Sequence, residues 1–90
     1  MGKFIVVHPV GENMDMEGMT PVAKAIKAAS TVDAYWSRST YLQEEGKLYC
    51  SWDAKDADAI REVAAKVAAC PPIEGIYAVT AVVRGEDYRS

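Results

Sequence analysis

Tyr35-Trp36-Ser37-Arg38-Ser39-Thr40-Tyr41-Leu42, then Gln43-Glu44-Glu45-Gly46, then Lys47-Leu48-Tyr49-Cys50-Ser51-Trp52-Asp53 reads as two strands joined by a four-residue connection. Aromatic and hydroxyl-bearing side chains dominate both arms, as suits a pleated surface. Gly46 closes the connection where a positive φ is often required. Strict alternation puts Tyr35, Tyr41, Leu48, Cys50 and Trp52 on one face, and Trp36, Arg38, Leu42 and Tyr49 on the other. Both faces are rich in apolar or aromatic groups. Helices of a small domain can cover one of them, so the second implies a partner or a ligand.

Working outward, Phe4-Ile5-Val6-Val7 is a continuous apolar run, and a strand over residues 3–8 should be central and covered on both sides. Residues 11–19 form a polar loop carrying Met14, Met16 and Met19. Thr20 offers an N-cap with Pro21 at the first helical position, which predicts a helix to about Ser30. Its apolar stripe is Val22, Ala25, Ile26 and Ala29, with Lys24 and Lys27 outward. After the hairpin, Asp53 or Asp56 caps a second helix that extends to about Ala69. Ile60, Val63, Ala64 and Val67 form its stripe, Glu62 and Lys66 an i,i+4 pair, and Pro71-Pro72 its stop. A last strand is expected over residues 73–83, with Gly75 marking a bulge or close approach, before a charged, frayed tail.

The order β-α-β-β-α-β is the split βαβ of ferredoxin-like folds, an α+β class with a four-stranded antiparallel sheet. Right-handed crossovers place both helices on one sheet face. The other face would expose an apolar patch larger than soluble monomers carry, so a homodimer packed sheet against sheet is expected.

Ninety residues make one domain spanning 1–90, half apolar and 26% charged. A net charge of −3, with ten basic residues scattered singly, argues against a nucleic-acid binder. The N-terminal apolar run is too short for a signal peptide, and no stretch approaches the roughly 20 residues of a membrane span. Cys50 and Cys70 make no disulfide framework and suit reduced thiols in the cytoplasm.

His8 is the one histidine. It reads as a strand-end side chain satisfied by hydrogen bonds, or as one ligand of a mixed metal site with Cys50 and carboxylates. Cys50 reads as a small hydrophobe unless a base lowers its pKa. Arg38, on an aromatic face, either pairs with an acid such as Asp53 or awaits an anion.

Gly18-Met19-Thr20-Pro21, Trp36-x-x-Ser39, the run from Lys47 to Ala54, Asp56 and Ala59-Ile60-Arg61 together resemble a family of small bacterial domains of unknown function that includes nickel-binding members. The resemblance implies a ferredoxin-like protomer and a dimeric α/β barrel. Of the histidines in the nickel-binding members, only His8 has a counterpart, and Pro9 follows it. The resemblance thus implies a small dimeric binding protein with the metal site reduced or lost, with nickel or another transition metal as its cofactor and His8 and Cys50 as ligands. The alternative on the same barrel is a cofactor-free monooxygenase or isomerase. It would hold a small apolar substrate among Tyr35, Tyr41, Trp52 and Tyr77, or against Trp36 and Arg38 on the opposite face.

Overall fold

A computed structural model describes residues 1–89. The elements are β1 (Gly2–Pro9), α1 (Thr20–Ala29), β2 (Ala34–Leu42), β3 (Lys47–Ala54), α2 (Ala57–Ala65) and β4 (Gly75–Ala78), followed by a 3-10 turn at Gly85–Tyr88. The strands form one antiparallel sheet in the order β2-β3-β1-β4, the ferredoxin-like arrangement expected from the element order. Among the described residues no helix is long and apolar enough to cross a membrane.

The core lies between α2 and the sheet. Val6, Ala34, Leu48, Cys50, Trp52 and Ala54 come from the strands, and Ala59, Ile60 and Val63 from the helix. Asp56 is the helix cap, its carboxylate accepting from the Ala59 N–H at 2.8 Å. α2 ends at Ala65, short of the expected Ala69. The N–H groups of Lys66 and Val67 donate three residues back, to the Val63 and Ala64 carbonyls, tightening the last turn. That tightening tucks Val67 inward and leaves Glu62 and Lys66 without an ion pair among the described residues.

α1 differs from α2 in one decisive respect: none of its residues is fully buried. Its N-cap is Met19, and Thr20 lies inside the first turn without a side-chain cap. Lys27, expected to face solvent, reaches the edge strand instead. Its Nζ donates to the Trp36 carbonyl at 2.8 Å and lies 4.4 Å from the centre of the Tyr35 ring. The helix therefore rests on a half-buried stripe of Val22, Ile26 and Ala29 and, at the edge strand, on a lysine.

β4 is four residues long, against the eleven expected. The antiparallel register explains this. Ala78 lies opposite Phe4, Val79 donates to the Lys3 carbonyl, and β1 begins at Gly2, so residues beyond about 80 have no strand to pair with. Val82 and Val83 are consequently 62% and 73% exposed. The tail carries the 3-10 turn; Ser90 lies outside the described residues. Gly75 is a close approach, made by a side chain: a Cβ there would lie 2.5 Å from the Tyr77 hydroxyl.

Gly46 has φ +65°, and a Cβ on it would come within 3.2 Å of the Gly11 backbone. Its carbonyl accepts from Val10 and Gly11 at 3.0 and 2.8 Å. The β1–α1 loop is thereby fastened to the end of the hairpin. The Tyr41 hydroxyl adds a second fastening, donating to the Gly11 carbonyl at 2.6 Å and accepting from the Met14 N–H at 3.3 Å.

Candidate functional site

Beneath the lightly seated α1 lies a cavity of about 350 Å³. Its floor is sheet: Val6 and His8 from β1, Leu48, Cys50 and Trp52 from β3, Trp36 and Ser39 from β2. Val22, Ala23, Lys24 and Ile26 form the α1 side, Met14, Met16 and Met19 the loop wall, and Ile60, Cys70, Pro71 and Ile73 the far end. The only histidine, both cysteines and three of the four methionines therefore share one mainly apolar space.

A β-bulge decides which aromatic residues reach it. Trp36 lies opposite Trp52, but Arg38 lies opposite Ser51, so Ser37 is an extra residue in β2. On one side of the bulge Trp36 shares the helix-covered face with Trp52; on the other, Ser39 and Tyr41 share it with Cys50 and Leu48. Strict alternation through position 37 gives the wrong side for both residues before it. Trp36 belongs to the cavity, and Tyr35 to the open face with Arg38. Tyr77 is also on the open face, 55% exposed, and Tyr41 acts through the loop it holds. The aromatic wall is thus Trp36 and Trp52 rather than Tyr35, Tyr41, Trp52 and Tyr77. Arg38 finds no acid among the described residues, because Asp53 pairs with Lys3 at 3.0 Å.

The bulge also gives the Trp-x-x-Ser spacing its chemistry. Residues three apart on a regular strand point to opposite faces; here the Trp36 indole Nε1 donates to Ser39 Oγ at 2.9 Å. Ser39 in turn donates to Cys50 Sγ at 2.9 Å. The Trp52 indole, by contrast, is 4% exposed and its Nε1 has no acceptor among the described residues. An unsatisfied buried donor of this kind costs about 1–3 kcal/mol.

His8 is buried, with Nδ1 at 3.2 and 3.1 Å from the carbonyl oxygens of Pro71 and Pro72. Two carbonyls can only accept, so Nδ1 carries the proton, and in the neutral ring the lone pair is on Nε2. The proline pair that reads in sequence as a helix stop supplies these acceptors.

Burial pushes the Cys50 thiol up to about 11; the Ser39 hydrogen bond opposes that rise and the neighbouring Cys70 adds to it. Burial raises Cys70 as well. Cys50 is therefore a protonated thiol at neutral pH, and its alkylation by iodoacetamide, followed by peptide mass spectrometry, should stay slow at pH 8 and accelerate only toward pH 11. Rapid modification of Cys50 at pH 7 in the folded protein would contradict this.

As a metal centre the donor set is thin. Among the described residues no group of three or more His, Cys, Asp or Glu side chains could hold a metal ion. His8 has one nitrogen committed to carbonyls, and Cys50 is a buried protonated thiol that a bound metal would have to deprotonate. One imidazole nitrogen and one thiol are fewer donors than the square-planar N,O set that suits nickel(II).

Residues 4–79 match the model of a family described as nickel responsive protein SCO4226-like. This chain belongs to that family. The SCO4226-like membership agrees with the resemblance carried by Trp36-x-x-Ser39 and the Cys50 strand. A solved structure, the crystal structure of SCO4226 from Streptomyces coelicolor A3(2), superposes with a TM-score of 0.76. It shares 16% identity, over 90% of this chain and 99% of that one, so the likeness is one of fold. No curated protein matches.

Ser39 and Cys70 line the cavity and were not assigned to a site by sequence reasoning, whereas the loop of Met14, Met16 and Met19 reads in sequence as a flexible segment lying over a pocket or partner. The Trp-x-x-Ser spacing held the signal for Ser39, since an indole–hydroxyl bond at that separation needs a bulge.

Proposed function

We propose that this chain is a non-catalytic, homodimeric binding member of the SCO4226-like family, with the cavity under α1 as its ligand site and the single-chain metal site reduced. The observation that carries the reading is the 350 Å³ cavity itself, floored by Trp36 and Trp52. It falls within the range of small-molecule pockets, about 300–1,000 Å³, and its lining is predominantly apolar. The reduced metal site is supported by the donor chemistry of His8 and Cys50. Dimerisation is supported by the sheet face without helices, where Ile5, Val7, Tyr49 and Tyr77 cluster between the Lys3–Asp53 and Lys47–Glu74 ion pairs. An apolar centre with a polar rim is the usual anatomy of an interface. Free Cys50 and Cys70 fit a reducing, cytoplasmic setting. The monooxygenase or isomerase alternative has no support from the family match or the structural likeness.

Calorimetry with nickel(II) tests the metal part. Wild type should bind more weakly than micromolar, and His8→Ala should remove what binding there is. Tight binding that survives the substitution would place a metal site elsewhere and overturn this part of the reading.

A further inference from the structure

The cavity floor carries one side-chain nitrogen that is both unpartnered and reachable. Trp52 Nε1 lacks an acceptor but exposes less than 1 Å², so it is closed to any ligand. Trp36 Nε1 donates to Ser39, and Ser39 spends its own proton on Cys50. His8 is different. Its ring bonds through Nδ1, to the Pro71 and Pro72 carbonyls, and Nε2 has no partner among the described residues. Nε2 does not share the closure of Trp52 Nε1, so it keeps accessible surface on a residue that is 5% exposed. His8 lies opposite Leu48 on the helix-covered face and is part of the floor. The two nitrogens of an imidazole project in diverging directions. With Nδ1 held by the proline carbonyls at the far end, Nε2 turns back over the cavity.

The Nδ1–H tautomer leaves Nε2 a lone pair, which accepts and cannot donate. A carbonyl or ether oxygen would meet it lone pair to lone pair. A carboxylate would do the same and lose its hydration, while Lys24, the lysine of the lining, is exposed at the α1 side. A hydroxyl fits. It brings the proton that Nε2 lacks, and its carbon frame has Val6, Leu48, Ile60 and Trp36 to lie against. We propose that the cavity takes an uncharged, mainly apolar small molecule bearing one hydroxyl group, which donates a hydrogen bond to His8 Nε2. This deepens the ligand-site reading given above and rests on it.

Three naphthalenes separate the possibilities: 2-naphthol, which donates; 2-methoxynaphthalene, which has the same oxygen without its proton; and 2-naphthoate, an anion. Each is titrated into ¹⁵N-labelled protein without a histidine tag, at mildly alkaline pH in chelator-treated buffer. His8 is the one histidine, so its ring nitrogens are assigned without a variant. Before any probe is added, Nε2 should resonate as an unprotonated nitrogen and Nδ1 as an N–H; the reverse would overturn the proposal. 2-Naphthol should bind saturably, move Nε2 part of the way toward the protonated position, and bind about threefold to tenfold tighter than the ether, as one net neutral hydrogen bond gives. In His8→Phe that preference should vanish; its persistence would place the acceptor elsewhere. Equal affinities of naphthol and ether, with Nε2 unmoved, would overturn the hydroxyl assignment and leave the ligand cavity standing. Tightest binding of 2-naphthoate, with both ring nitrogens at N–H positions, would overturn it in favour of an imidazolium that holds anions. Failure of all three to bind would remove both the assignment and the ligand-site reading.

Discussion

Tyr77→Asp should convert a dimer of twice 9.8 kDa into a 9.8 kDa monomer at micromolar concentration in sedimentation equilibrium. Tyr77 lies opposite Ile5 in the β4–β1 pair, on the face without helices, and is 55% exposed in the isolated chain. Its substitution should leave the protomer's core intact. Two protomers packed through this face would bury Tyr77 beside Ile5 and Val7, where an aspartate would lose its water and where Lys3 and Lys47 are already paired with Asp53 and Glu74. An unpaired charge of that kind costs several kcal/mol, enough to dissociate an interface of ordinary size, about 800 Å² per partner. A wild-type chain that sediments as a monomer would defeat the sheet-to-sheet packing outright.

The second large effect concerns folding. Ile60 is fully buried, and α2 is the helix that holds the core, since α1 contributes no fully buried residue. Ile60→Ala should therefore destabilise the protein by about 2–5 kcal/mol, as large-to-small core changes do. For a domain whose total stability is about 5–15 kcal/mol, this is a major fraction. Urea unfolding at fixed protein concentration reads the loss directly, and the fixed concentration keeps any dimer linkage constant. Ile26→Ala in α1, half-buried, serves as the comparison and should cost clearly less. A larger loss at Ile26 than at Ile60 would mean that α1 is the better anchored helix.

The element order, an aspartate cap for α2 narrowed to Asp53 or Asp56, and the two-faced character of β1 were legible, because each depends on local chemistry. A carboxylate three residues before a free N–H caps wherever the chain folds, and Phe4-Ile5-Val6-Val7 has no polar side to expose. The face of Trp36 was not legible by counting. It depends on the bulge at Ser37, and a bulge is a relation between two strands rather than a property of one. The length of β4 failed for a similar reason. Residues 79–83 have the composition of a strand, yet a strand ends where its neighbour does, and β1 has run out. In the candidate site, His8 and Cys50 were legible as singular residues. Their surroundings were set by pairings far along the chain: Pro71 and Pro72 for the imidazole, Ser39 for the thiol.

The light seating of α1 bears on selectivity. A cavity enclosed on every side by interlocked core side chains discriminates by shape, because any misfit must be absorbed by close-packed neighbours. Here one wall consists of a ten-residue helix held by half-buried side chains and a lysine–carbonyl bond, continued by long, unbranched methionines. Such a wall can retreat or advance at small cost, while the strand floor stays fixed. Molecules of different bulk would then be accommodated on the helix-and-methionine side, and discrimination by shape would fall to the rigid strand floor.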